Sequence, residues 1–118
     1  MVDITGSRDC GNSPKNAFVQ SMAIAFETVA FDPDSIVDDL VFEMPGSKLL
    51  QGASAILPRL NEQTIPTAIV VEHAIAHGRA GAASGVSTLE DGTQRRFAYV
   101  FEFKNTTAKW VVSAKLYG

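Results

Sequence analysis

Four consecutive stretches in the C-terminal half of this chain read as strands, and several are apolar on both faces. They are Thr67–Ala76, Arg79–Leu89, Gln94–Lys104 and Lys109–Tyr117. Turn chemistry separates them: His77-Gly78, then Asp91-Gly92, then Asn105-Thr106-Thr107. In the third stretch Phe97, Tyr99, Phe101 and Phe103 alternate with Ala98 and Val100. In the fourth, Trp110, Val112, Ala114 and Leu116 oppose Val111 and Tyr117. An antiparallel sheet with one wet face alternates apolar and polar residues. This meander does not, so it needs cover on both sides.

The residues before it supply one cover. Ser13-Pro14 is an N-cap followed by proline at the first helical position, and the spacing predicts a helix to about Ala30. Phe18, Met22, Ala25, Phe26 and Val29 form its apolar stripe. Asp32-Pro33-Asp34 stops that helix, and Ser35–Leu40 reads as a second, short one, with Asp38-Asp39 as capping or solvated acids. Val41–Met44 and Lys48–Gln51 read as a small hairpin around Pro45-Gly46-Ser47. Ser54–Glu62 reads as a third helix with Ile56, Leu57 and Leu60 inward and Pro58 as an irregularity. Residues 1–13 lack periodicity and read as a flexible tail, in which Cys10 is an incidental thiol. The expectation is segregated α+β, one domain over residues 14–118, in the order α-α-β-β-α-β-β-β-β. Three helical pieces cover one sheet face. The other is expected to meet a second copy of the chain.

Composition narrows the function classes. With 118 residues and 46% hydrophobic content the chain supports one core. A net charge of −3 and the absence of a basic-aromatic patch argue against nucleic acid, and Arg95-Arg96 reads as a solvated edge. No apolar run reaches membrane-spanning length, and Asp3, Arg8 and Asp9 interrupt any secretory leader, so the cytoplasm is the expected compartment. No cofactor is implied. Glu72-His73 are adjacent on a strand and there is no His-x-His pair, so no metal site is expected.

The element order and its landmarks resemble the nuclear transport factor two-like superfamily, in its SnoaL-like branch. The carrying segments are Phe18–Phe26, Asp38–Gly46, Gly52-Ala53-Ser54-Ala55-Ile56, His77–Gly85, and Glu90-Asp91-Gly92 with Phe97–Phe103. The resemblance implies a cone in which a curved sheet and helices enclose an apolar pocket, and a dimer through the other sheet face. It also implies very different activities on one fold, from isomerases, dehydratases, hydrolases and polyketide cyclases to non-catalytic modules. The steroid isomerase branch uses a carboxylate base, a helix Tyr and a protonated Asp. Those positions fall on Met44, Met22 and Tyr99 here, and thioethers move no protons. The small residues from Gly81 to Gly85 suggest an unfilled cone.

The expected pocket is Met22, Phe26, Met44, Phe97, Tyr99, Phe101, Ser113, Lys115 and Tyr117. Tyr99 is read either as a donor to a ligand oxygen or as a core phenol bonded to a neighbour. Lys115 is read either as the one charge in the pocket or as a lysine whose head reaches water or Glu43. His73 shares its predicted face with Ile69, Val71 and Ile75, as a core or interface residue; His77 helps end its strand. Glu43 and Glu102 are expected to face away from the pocket. The leading expectation is a small apolar organic ligand with no reaction assigned. An enzyme using Tyr99 with His73 or Lys115 and a filled, non-catalytic dimeric module are the alternatives.

Overall fold

The computed structural model describes residues 2–11, 13–30, 36–46, 48–105 and 110–117. Two helices lie against a seven-stranded mixed sheet. The strands are β1 (Asp3–Thr5), β2 (Ile36–Glu43), β3 (Leu50–Gln51), β4 (Ala68–His77), β5 (Ala80–Thr88), β6 (Gln94–Phe103) and β7 (Val111–Tyr117); the helices are α1 (Pro14–Thr28) and α2 (Ala53–Asn61). The sheet order is β1-β4-β5-β6-β7-β2-β3. β4 to β7 form the expected antiparallel meander. β1 and β2 extend it by parallel pairing with β4 and β7.

Two sequence expectations are corrected. The order is β-α-β-β-α-β-β-β-β, because Ile36–Leu40 is the start of β2 and not a helix. Its backbone joins the far edge of the meander, with Ile36 opposite Val111, a non-local pairing that overrides local propensity. Asp39 is thus an exposed strand residue and not a helix cap. Residues 1–13 are not aperiodic: Asp3–Thr5 pairs with Ala68–Val70. The Asp32-Pro33-Asp34 stop, Ser47 and the Thr106–Lys109 segment lie outside the described residues.

α1 begins as expected. Ser13 Oγ accepts from Asn16 N at 3.2 Å, and Pro14 needs no donor there. It ends at Val29, whose φ of 55° places a β-branched residue in the left-handed region. Val19, Met22, Ala23 and Phe26 are buried as the helix crosses β4 and β5. α2 contacts β2 and β3 through Ile56 and Leu60, whereas Leu57 is exposed.

The middle of the cone is full. Phe26 packs against Phe42, Tyr99 and Phe101 with ring centroids 5.0, 5.5 and 5.8 Å apart, and all four are completely buried. The small residues of β5 do not leave a void. They let neighbours come down onto the sheet: a Cβ at Gly81 would sit 2.6 Å from Val19 Cγ2, and one at Gly85 2.8 Å from Phe97 Cζ. The expected unfilled cone is therefore corrected at its centre.

Candidate functional site

The first helix turns an acid into this core. Val19, Ala23 and Glu27 follow at four-residue spacing, beside Met22 and Phe26, so Glu27 occupies a position on the buried stripe. It is 1% exposed. Three residues of the meander answer it from inward positions. Ser87 Oγ donates to Glu27 Oε1 at 2.6 Å, and Arg95 donates to the same oxygen through Nη2 at 3.1 Å and Nε at 3.3 Å. The Tyr99 hydroxyl donates to Oε2. Arg95 also donates from Nη1 to the Thr64 carbonyl at 3.3 Å. Each partner lies on the inward register of its strand, where Ser87 faces Arg95 across β5 and β6 and Tyr99 lies four residue pairs along.

This arrangement fixes the protonation of Tyr99. Burial pushes the Tyr99 phenol well above its ordinary 10.0, and the adjacent Glu27 charge and hydrogen bond push it further. The phenol is a permanent donor at neutral pH and the carboxylate its acceptor. Among the described residues no buried side-chain nitrogen or oxygen lacks a partner.

One end of the network reaches the surface. A cleft of about 310 Å³ opens between α2, the turn after β2 and the ends of β6 and β7. Its floor reaches Glu27. Met44, Pro45, Phe97 and Leu116 form its apolar wall, and Arg59, Gln63, Arg95 and Arg96 its polar rim.

The same architecture occurs in solved structures. An NTF2-like protein of unknown function from Mesorhizobium loti superposes with a TM-score of 0.65 at 18% identity, over 96% of this chain and 97% of that one. One from Burkholderia xenovorans gives 0.64 at 21% identity, over 86% and 77%. The chain has the NTF2-like fold. A candidate ketosteroid isomerase from Kribbella flavida shares that fold with a TM-score of 0.62 at 19% identity, over 86% and 75%. At these identities the likeness shows the fold alone. No protein-family model and no curated protein matches the sequence.

Within the NTF2-like cone the expected pocket residues separate into three groups. Met44 and Phe97 line the cleft. Met22, Phe26, Tyr99 and Phe101 belong to the closed core. Ser113, Lys115 and Tyr117 lie on the outer face of the sheet, which corrects their placement in the cone. Cross-strand register is the reason: Tyr99 opposes Leu116 and Phe101 opposes Ala114, so these β7 residues point inward and their neighbours outward. Ser113 Oγ accordingly donates to the outward Glu102 at 3.0 Å. Lys115 lies in register with Glu43, and both line a shallow hollow of about 160 Å³ with Met44 and Tyr117.

His73 is corrected in the same way. The register of β4 shifts between Val71 and His73, which breaks the alternation. Ile69 and Val71 stay buried, whereas His73 and Ile75 turn outward beside Ser84 and Ala82. Glu72 and His73 are therefore both exposed despite being adjacent. His73 Nδ1 lies 3.2 Å from Asp9 Oδ2, which also accepts from Ala74 N at 3.1 Å. The exposed His77 closes β4 before the turn. Among the described residues no three His, Cys, Asp or Glu side chains converge as metal ligands.

The sequence reading missed Glu27, Ser87 and Arg95. The available signal was parity: each polar residue falls on the inward phase of an otherwise apolar or small-residue element.

Proposed function

We propose that this domain binds a small organic molecule in the cleft at the open end of the cone, with no reaction assigned. The observation that carries this reading is the buried Glu27 and its three donors beneath that cleft. A buried carboxylate is a weak contributor to stability compared with apolar packing, and polar groups held in fixed geometry beneath an apolar-walled opening are the usual furniture of a binding site. The thioethers of Met22 and Met44 stand where the isomerase comparison requires a phenol and a base, so that reaction is not proposed.

A tryptophan at position 44 tests the site by filling it. In a thermal-shift screen of small organic compounds, at least one should raise the melting temperature of the native protein and have little effect on Met44→Trp. At 100 times the dissociation constant a bound ligand contributes about 2.7 kcal/mol. Shifts of equal size in both proteins would remove the cleft as the site.

We further propose that the outer sheet face pairs with a second copy of the chain. Ile75 (59% exposed), Val70 (45%) and Tyr117 (53%) are exposed large apolar side chains of this sheet, and Ile75 adjoins Ala82 and Val100. A groove of about 340 Å³ runs along Ile75, Ala80, Ala82 and Val100. The protein should sediment as a dimer at micromolar concentration, and Ile75→Lys with Val100→Lys should sediment as a monomer. A native monomer would discard the interface. The filled centre of the cone favours a second functional reading, a non-catalytic dimeric module, and a native dimer that no compound stabilises would support it.

A further inference from the structure

The distribution of charge around the cleft deepens the binding reading, on which this inference rests: we infer that the ligand is a small organic carboxylate. The chain is net acidic at −3 and has only five arginines, yet three of them, Arg59, Arg95 and Arg96, line this one opening. The single acid in the lining, Glu27, is turned inward. Its Oε1 is taken by Ser87 and Arg95 and its Oε2 by Tyr99, and it is 1% exposed. At the mouth of the cleft a ligand meets the guanidinium groups of Arg59 and Arg95, whereas Arg96 alternates with Arg95 and Phe97 and turns its own to Glu72 on the outer face.

Arg95 is the preorganised part of this surface. Its Nε and Nη2 are fixed by Glu27 and its Nη1 by the Thr64 carbonyl. A guanidinium carries five N–H donors, so two remain for a further acceptor. A fork already held in place loses little entropy on binding a planar carboxylate. Arg59 takes part in a surface pair with Glu62 at 2.9 Å. Such pairs are worth about 0–1 kcal/mol and exchange readily for a ligand anion. Met44, Phe97 and Leu116 then cover the apolar body. A volume of about 310 Å³ lies at the small end of the usual range for ligand sites, which suits a single ring or a short chain.

Matched probes separate the head group from the body. Benzoate, cinnamate and hexanoate would each be titrated against benzamide, cinnamamide and hexanamide at neutral pH by calorimetry. The native protein should bind the carboxylates about tenfold tighter than the amides. Replacing Arg59 by Gln should weaken carboxylate binding about tenfold and amide binding less than about twofold. The Arg59 side chain is 39% exposed, and an unchanged circular dichroism spectrum checks the fold of the variant. Amides that bind as tightly as their carboxylates, or an equal response of both series to the substitution, would overturn the carboxylate assignment and leave the cleft reading intact. Carboxylate binding that persists in Met44→Trp would place the anion elsewhere and overturn both. Failure of both series to bind would also overturn both.

Discussion

Glu27→Ala is expected to lower the unfolding free energy by about 3–5 kcal/mol, read as a fall in the urea midpoint with an unchanged slope. The loss does not come from the ion pair alone. Arg95 is 30% exposed and can turn to water once its partner is gone. Ser87 and Tyr99 cannot, because both are completely buried. Each hydroxyl would lose its acceptor, at about 1–3 kcal/mol apiece, and a cavity would replace the side chain. Glu27→Gln should be milder, about 1–2 kcal/mol, because the amide keeps the shape and one accepting oxygen. A Glu27→Ala midpoint equal to the native one would mean that the network does not hold in solution.

Tyr99→Phe provides an independent readout on the same network. Burial raises the folded phenol well above its ordinary 10.0. Below pH 10 it is protonated in both states, and its contribution is complete. As pH rises past 10, the unfolded chain releases the proton and the folded chain does not. Stability therefore falls with pH across the interval up to the folded value. Tyr99→Phe should be less stable at pH 7 by about 1–3 kcal/mol, since Glu27 loses a donor. It should also lack this portion of the alkaline loss. A native-like alkaline slope in the variant would assign the loss to other groups.

Much of the fold was legible in the sequence, and the site was not. The meander and α1 follow from period and punctuation: Ser13-Pro14 starts the helix, and Asp91-Gly92 turns β5 into β6. Ile36–Leu40 was ambiguous because its apolar residues fit both a helical stripe and a strand. Only the distant pairing with β7 decides it. His73 lands on the other face for a subtler reason: strand parity holds only while the register does, and the register shift in β4 breaks it. The cone placement of Ser113 and Lys115 rests on the family resemblance, and the pairing of β7 with β6 puts them on the other face. Glu27, Ser87 and Arg95 were readable in principle. Each keeps the phase of its apolar neighbours, and a helical Glu four residues after Ala23 on a buried stripe is an anomaly that requires partners.

Gly85→Ala should be the most damaging single-methyl change in the sheet, at about 3 kcal/mol or more, or loss of soluble protein. An added Cβ would lie 2.1 Å from the Val70 carbonyl oxygen and 2.8 Å from Phe97 Cζ. The first contact is with backbone and cannot be relieved by a rotamer change. β4 and β5 would have to separate next to the register shift, and Phe97 would have to give way at the wall of the cleft. The two displacements are distinguishable spectroscopically. Separation broadens the amide signals of both strands, whereas displacement of Phe97 shifts aromatic resonances alone. A native midpoint and spectrum would refute the close approach.

The sheet ends on one side in β1, three residues long, and on the other in β3, two residues long. Asp9 caps the Ala74 amide where β1 no longer covers β4. Exposed strand edges are the usual templates for uncontrolled strand addition, and short edge strands such as these blunt that tendency. Association of this chain is thereby steered away from the open-ended growth of fibrils. A second copy pairing on the broad face around Ile75 and Val100, as proposed above, would instead close at two.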